Sequence, residues 1–140
     1  MYKKAQPARF DMSKKVLIVE SDRLTRNVLS KIIANYLGCD VNIARSVREA
    51  ESFIRSINFD LFVIGISRDS VADINLIKKV RAINGTIPVI VVLGDCNEAD
   101  MDEIKNLGID KIAYKPLKLT PFLEIVAGTF IESERVFNYA

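Results

Sequence analysis

The 140 residues contain no histidine and only two cysteines. A zinc site built from Cys and His within the chain is therefore excluded, and so is a histidine base able to activate a hydroxyl nucleophile. Ser21, Thr25 and Ser67 fall at predicted strand ends and helix starts, where hydroxyls serve as caps. No enzymatic activity is expected, and no cofactor. Charge of one sign is scarce too: 20 basic against 18 acidic residues leave a net charge of +2. Such a balance gives no broad footprint for direct nucleic-acid binding. No apolar run approaches the ~20 residues that cross a bilayer, and no hydrophobic stretch follows the amino-terminal basic residues to make a signal peptide. A soluble, cytoplasmic protein without a membrane partner is expected.

What is present is apolar: 49% of the residues are hydrophobic, enough for a sizeable core in one domain of this length. Residues 1–14, with Lys3, Lys4, Arg9 and Lys14, read as a flexible basic arm, residues 15–135 as the domain, and residues 136–140 as a tail or the start of a helix leading elsewhere. Val16 to Val19 is a continuous apolar run too short for a helix, hence a strand buried on both faces. Leu24, Val28, Ile32 and Tyr36, flanked by Leu29, Ile33 and Leu37, predict one helix with a broad apolar stripe that Gly38 ends.

A weaker strand spans Val41 to Ala44, and Ser46-Val47-Arg48-Glu49 has the form of a capping box before the next helix. Strands are further predicted over Leu61 to Ile66, Ile87 to Leu93 and Ile109 to Tyr114. Helices fall around Ile74 to Arg81, around Met101 to Leu107, and after a Thr120-Pro121 start. Strand followed by helix, five times, predicts an α/β fold: a doubly wound parallel sheet in the flavodoxin-like order 2-1-3-4-5. Cys39 and Cys96 then fall at opposite ends of the sheet, so no disulfide is expected between them.

Val16-Leu17-Ile18-Val19-Glu20, the run from Asp60 to Ser67, the run from Ile87 to Gly94, and Ala113-Tyr114-Lys115-Pro116-Leu117 together resemble the receiver domain of bacterial response regulators. In that family two acidic residues after the first strand and an aspartate after the third hold Mg²⁺, and the aspartate accepts a phosphoryl group. The resemblance carries the acidic pair onto Glu20 and Ser21 and the acceptor onto Gly65. The hydroxyl that ends the fourth strand falls on Leu93, and the aromatic of the fifth strand falls on Ile112. Only the lysine is matched, at Lys115, followed by Pro116, a position that often carries a cis peptide in this fold. The loop that usually reads Met-Pro and then Asp-Gly has Arg68-Asp69 and Ala72-Asp73.

With Glu20 alone, unless Asp22 bends in, high-affinity Mg²⁺ binding is not expected, and no metal site is assigned. Neither the nucleophile nor the charge neutralisation for phosphoryl transfer is in place. Asp69 is either a substitute acceptor or a solvated carboxylate at a helix start. Lys115 either meets a phosphoryl oxygen or, as expected here, pairs with Glu20.

The resemblance thus implies a degenerate receiver, a pseudo-receiver of two-component signalling that acts through protein contacts without phosphorylation. The family uses the fourth helix, fifth strand and fifth helix for dimers and output contacts. Here that face includes Met101, Asp102, Lys105, Asn106, Lys111, Glu124, Glu132 and Arg135, as the contact surface for a protein partner or a homodimer. Two alternatives stand beside it: a sensor holding a small anionic ligand near Gly65 and Lys115, where the glycine permits close approach, and a receiver segment of a longer transcriptional regulator.

Overall fold

The computed structural model describes residues 14–67, 70–95 and 98–139, with side chains up to residue 133. Five strands form one parallel sheet in the order β2-β1-β3-β4-β5. They are β1 (Lys15–Val19), β2 (Asp40–Ala44), β3 (Leu61–Ile66), β4 (Val89–Leu93) and β5 (Lys111–Tyr114). The helices are α1 (Arg23–Ser30), α2 (Val47–Ser56), α3 (Ser70–Ile83), α4 (Glu98–Asn106) and α5 (Leu119–Tyr139). Every residue of β3 and β4 is buried. Their unbroken apolar runs are what a strand covered by helices on both faces requires.

Alternation along the strands sorts side chains into two cores. Leu17, Val19, Phe62, Ile64 and Val91 pack with Ala50 of α2, Ile74 and Ile77 of α3, and Ile104 of α4. Val16, Ile18, Val63, Ile90 and Val92 pack on the other face with Leu29 of α1 and with Phe122, Val126 and Phe130 of α5. Burying each such large side chain contributes about 1.5–3 kcal/mol. Registers such as Val19↔Ile64 and Leu93↔Tyr114 align the carboxyl ends of β1, β3, β4 and β5. Loops leaving those ends therefore converge on one corner.

Several local expectations are corrected. The stripe Leu24, Val28, Ile32, Tyr36 does not face the core as a unit: Leu24, Val28 and Tyr36 are exposed, whereas Leu29, Ile32, Ile33 and Leu37 are buried. Leu24 and Val28 lie on the outer flank of α1 itself, beside the buried Leu29. A π-helical turn over Lys31–Tyr36 follows, with Leu37 N donating to Ile32 O at 3.2 Å, and its wider turn shifts the phase of the residues after it. Gly38 does end this segment, at φ 74°.

Strand β5 starts at Lys111, later than the expected Ile109, because Gly108 at φ 79° leads in with a turn. Helix α5 starts at Leu119 and not after Thr120, so Pro121 lies in its first turn, where a missing N–H breaks no helical bond. The same helix runs through to Tyr139. Ser46 accepts from Glu49 N at 3.2 Å and Glu49 Oε1 from Arg45 N at 2.7 Å, the reciprocal pattern expected of a capping box, reached back by one residue more. Residues 1–13, Asp69 and Cys96 lie outside the described residues. Among those described, no helix is long and apolar enough to cross a membrane.

Candidate functional site

Glu20 follows β1 directly and is held at the strand end by its backbone N–H, which donates to Ala44 O at 3.0 Å. Its side chain is only 2% exposed. Oε2 accepts from Asp22 N at 3.0 Å. Oε1 receives no hydrogen bond but lies 3.3 Å from the Lys115 Nζ, an ion pair between a buried carboxylate and a partly exposed lysine. Lys115 is brought there by its own N–H, which donates to Leu93 O at 2.7 Å, and the peptide bond to Pro116 that follows it is cis.

The corner is closed by Gly65 on β3. A Cβ built on Gly65 would fall against the Glu20 carboxylate, 2.6 Å from its Cδ and 3.0 Å from Oε2. Contacts that short do not occur, so Glu20 can take this rotamer only because residue 65 has no side chain. The close approach expected at this glycine is thus made by Glu20, a group of the chain itself. The longer acidic side chain lies over the place onto which the family's acceptor is carried, and it neutralises the lysine from there.

The remaining groups are also committed. Asp22 does not bend in: it is the N-cap of α1, its Oδ2 accepting from Thr25 N at 2.9 Å and Thr25 Oγ1 at 2.6 Å. Those bonds, the side-chain one foremost, hold its pKa below 3.8. Ser21 is exposed, and its carbonyl and that of Glu20 each accept from Arg26 Nη1 at 3.2 Å.

On the other side of the corner Ser67 donates to Asp73 Oδ2 through both its N–H and its hydroxyl, each at 2.7 Å. Asp73 is 6% exposed in the first turn of α3 and fixes the start of the β3–α3 loop. Sequence reasoning compared Asp73 with a family glycine and missed this role; the signal was a carboxylate in the first turn of a helix, six residues past a serine at the end of a strand. A cleft of about 320 Å³ beside Glu20 and Gly65 is bordered by Arg45, Arg48 and Asp73.

A receiver's Mg²⁺ needs carboxylate oxygens turned toward one point. Here Glu20 is turned to Lys115, Asp73 to Ser67 and Asp22 to Thr25. Among the described residues no group of three His, Cys, Asp or Glu side chains is arranged to hold a metal. The donor set does not fit the ion. Leu93 is buried in the core of the α2, α3 and α4 face and Ile112 packs against it, so the apolar interior extends to the edge of the corner.

The face formed by α4, β5 and α5 has a different character. Met101 packs partly into the core, whereas Asp102, Lys105, Asn106 and Glu124 are exposed. Lys111 and Glu132 meet at 2.9 Å across β5 and α5, and that hydrogen bond raises the Lys111 pKa above 10.5. Glu103 of α4 binds Lys78 of α3 at 2.9 Å, a pair not foreseen from the sequence. The Arg135 side chain lies outside the described residues.

Residues 16–127 match the response regulator receiver domain family. A segment of 103 residues is 26% identical to the sensor protein EvgS of Escherichia coli O157:H7; the match covers 74% of this chain and 9% of that protein, so the chain spans a small part of that relative's length. The fold is similar to a CheY-like response regulator receiver domain protein from Methanospirillum hungatei, with TM-score 0.80 and 24% identity over 88% of this chain and 98% of the other. It is also similar to the receiver domain of a Francisella response regulator, with TM-score 0.69 and 25% identity over 89% and 99%. With its five-stranded parallel sheet, its converging corner and a family match across most of its length, this chain belongs to the response regulator receiver domain family.

Proposed function

We propose that this receiver domain signals without phosphorylation, as a pseudo-receiver that works through protein contacts and catalyses no reaction. One observation carries the reading: the Glu20 carboxylate lies over Gly65 and is paired with Lys115. A phosphoryl donor entering the corner would meet a buried ion pair instead of a free nucleophile backed by a metal ion. The lysine that stabilises a phosphoryl oxygen in the family is already neutralised. A small anion competing for that ammonium would have to displace a carboxylate of the same chain, which disfavours the ligand-sensor alternative. The contact surface is the exposed polar part of α4, β5 and α5, around Asp102, Lys105 and Glu124, engaging a protein partner or a second copy.

Incubation with acetyl phosphate and Mg²⁺ followed by intact-mass spectrometry tests the reading. The expected result is an unchanged mass. An adduct of one phosphoryl group, mapped to any carboxylate of the corner or to Asp69, overturns it. The surface is tested separately by charge reversal at Lys105 and Glu124. These variants should lose activity in the native cell at unchanged thermal stability, while Glu20→Ala with Lys115→Ala keeps activity once its lower stability is allowed for. The opposite pattern would move the function into the corner.

A further inference from the structure

Two surfaces of the domain set exposed apolar side chains beside charge of one sign, and the signs are opposite. On the first, Leu24 and Val28 lie one turn apart on the outer flank of α1, Leu24 being 75% exposed, and Tyr36 is exposed further along. Arg23 and Lys31 stand beside them and are exposed as well. No acidic residue occurs from Arg23 to Cys39. Adjoining apolar side chains with a charged rim mark a place of contact.

The second surface is its counterpart. Helix α4 holds Glu98, Asp100, Asp102 and Glu103 against Lys105 alone, and Glu98, Asp102 and Glu103 are exposed. Next to it Tyr114 ends β5, 60% exposed. Side chains alternate along a strand, so Tyr114 shares the face of Ile112, which packs on the α4 side of the sheet. A tyrosine there presents an apolar body among carboxylates, as Leu24 and Val28 present theirs among bases. Helix α1 and the π turn join β1 to the edge strand β2, and α4 joins β4 to the edge strand β5. The two surfaces therefore lie at opposite edges of the sheet, and one copy of the chain can offer both at once.

We propose that the α1 surface of one copy docks on the α4–β5 surface of the next, with Leu24 and Val28 against Tyr114 and with Arg23 and Lys31 against the α4 carboxylates. Pairing either surface with itself sets like net charge against like, whereas the crossed pairing sets bases against acids. The apolar side chains supply the strength of the contact, and the charges select its orientation. Such a contact is heterologous: each copy keeps one surface open, so association continues into a ring or a chain and does not stop at a two-fold dimer. The inference rests on the α4–β5–α5 surface proposed above and names what occupies it.

Sedimentation velocity of the full chain, from micromolar to millimolar concentration, should show a mass that rises past that of a dimer. Leu24→Glu/Lys31→Glu disables the α1 surface alone, and Asp102→Lys/Tyr114→Ala disables the α4–β5 surface alone. All four side chains are exposed, so Tm should hold in both variants. Each variant by itself should associate at least about tenfold more weakly than the parent. Mixed in equal amounts, the two should recover a complex that ends at two chains, because each retains the surface that the other lacks. A parent that stays monomeric or stops at a dimer overturns the crossed pairing, and so does a mixture that stays monomeric. Parent-strength association of either variant by itself also overturns it, by showing that the remaining surface pairs with itself. The contact-surface reading is judged separately: it fails if reversal of Lys105 and Glu124 leaves activity in the cell intact, whatever the mass of the parent.

Discussion

The two ends of β5 hold lysines that are equally exposed, at 27% each, but whose partners are not. Lys111, at the amino end, pairs with Glu132, whose side chain is 60% exposed; Lys115, just past the carboxyl end, pairs with Glu20, whose side chain is 2% exposed. Both are single lysine–glutamate pairs between elements distant in sequence. Water can replace either partner of the first. It cannot reach the carboxylate of the second, so the buried pair is costly to assemble and far more costly to half-dismantle. A short contact is therefore a poor guide to its importance: the exposed pair is the closer of the two, at 2.9 Å against 3.3 Å.

The largest effect expected from breaking this comparison belongs to Lys115→Met. It leaves the Glu20 carboxylate buried without a counter-charge and should cost about 3 kcal/mol in urea unfolding at neutral pH. A loss below about 1 kcal/mol would mean that solvent reaches Glu20 and that the corner is open. Next comes Gly65→Ala, whose methyl group would force the Glu20 carboxylate away from Lys115, at about 1–3 kcal/mol. In a Glu20→Ala background the same change should be nearly neutral, and a double-mutant cycle by denaturant melts measures that coupling. Additive losses would place the cost in the backbone and not in the carboxylate.

At the exposed end, the Lys111 and Glu132 alanine cycle should give a coupling of about 0.2–1 kcal/mol that falls with added salt. The hydrogen bond to Glu132 raises the Lys111 pKa above 10.5, so this contribution is complete below pH 10.5 and is lost as pH rises through the folded-state value. The smallest effect concerns Asp22. Its pKa is depressed below 3.8, so its stabilisation of α1 is present above that pH and disappears as pH falls through the folded-state value. Asp22→Asn should flatten the part of the acid dependence of Tm that lies below about pH 4. An unchanged slope would show that the Thr25 bonds do not persist in solution.

Much of this was legible because it depends on periodicity and charge. Continuous apolar runs at Val16 to Val19 and Leu61 to Ile66 announced strands covered on both sides, and their alternation with helices led to the sheet order found. Glu20 and Lys115 were legible as partners because two opposite charges at neighbouring strand ends leave few other arrangements. The illegible parts depend on details that periodicity does not carry. Spacing alone cannot separate Leu24 and Val28, which face water, from Leu29 and Ile33, which do not, nor does it announce the π turn at Lys31–Tyr36. Gly65 was read as room for an incoming ligand, because a glycine in a strand states only that something comes close and not what. Pairs such as Lys78 with Glu103 join helices 25 residues apart through flexible side chains, and many other surface partners fit the same sequence equally well.

The contact between residue 65 and Glu20 also constrains how the chain can change. An aspartate introduced at position 65 by itself would bring a Cβ onto the Glu20 carboxylate and set a second negative charge beside it. Shortening Glu20 first, with Gly65 retained, would withdraw the carboxylate from Lys115 and open a void at the sheet edge. Each single step is uphill. The two positions are epistatic, and the corner acts as a latch: while glutamate and glycine are present together, a single substitution at either position loosens the Glu20–Lys115 pair.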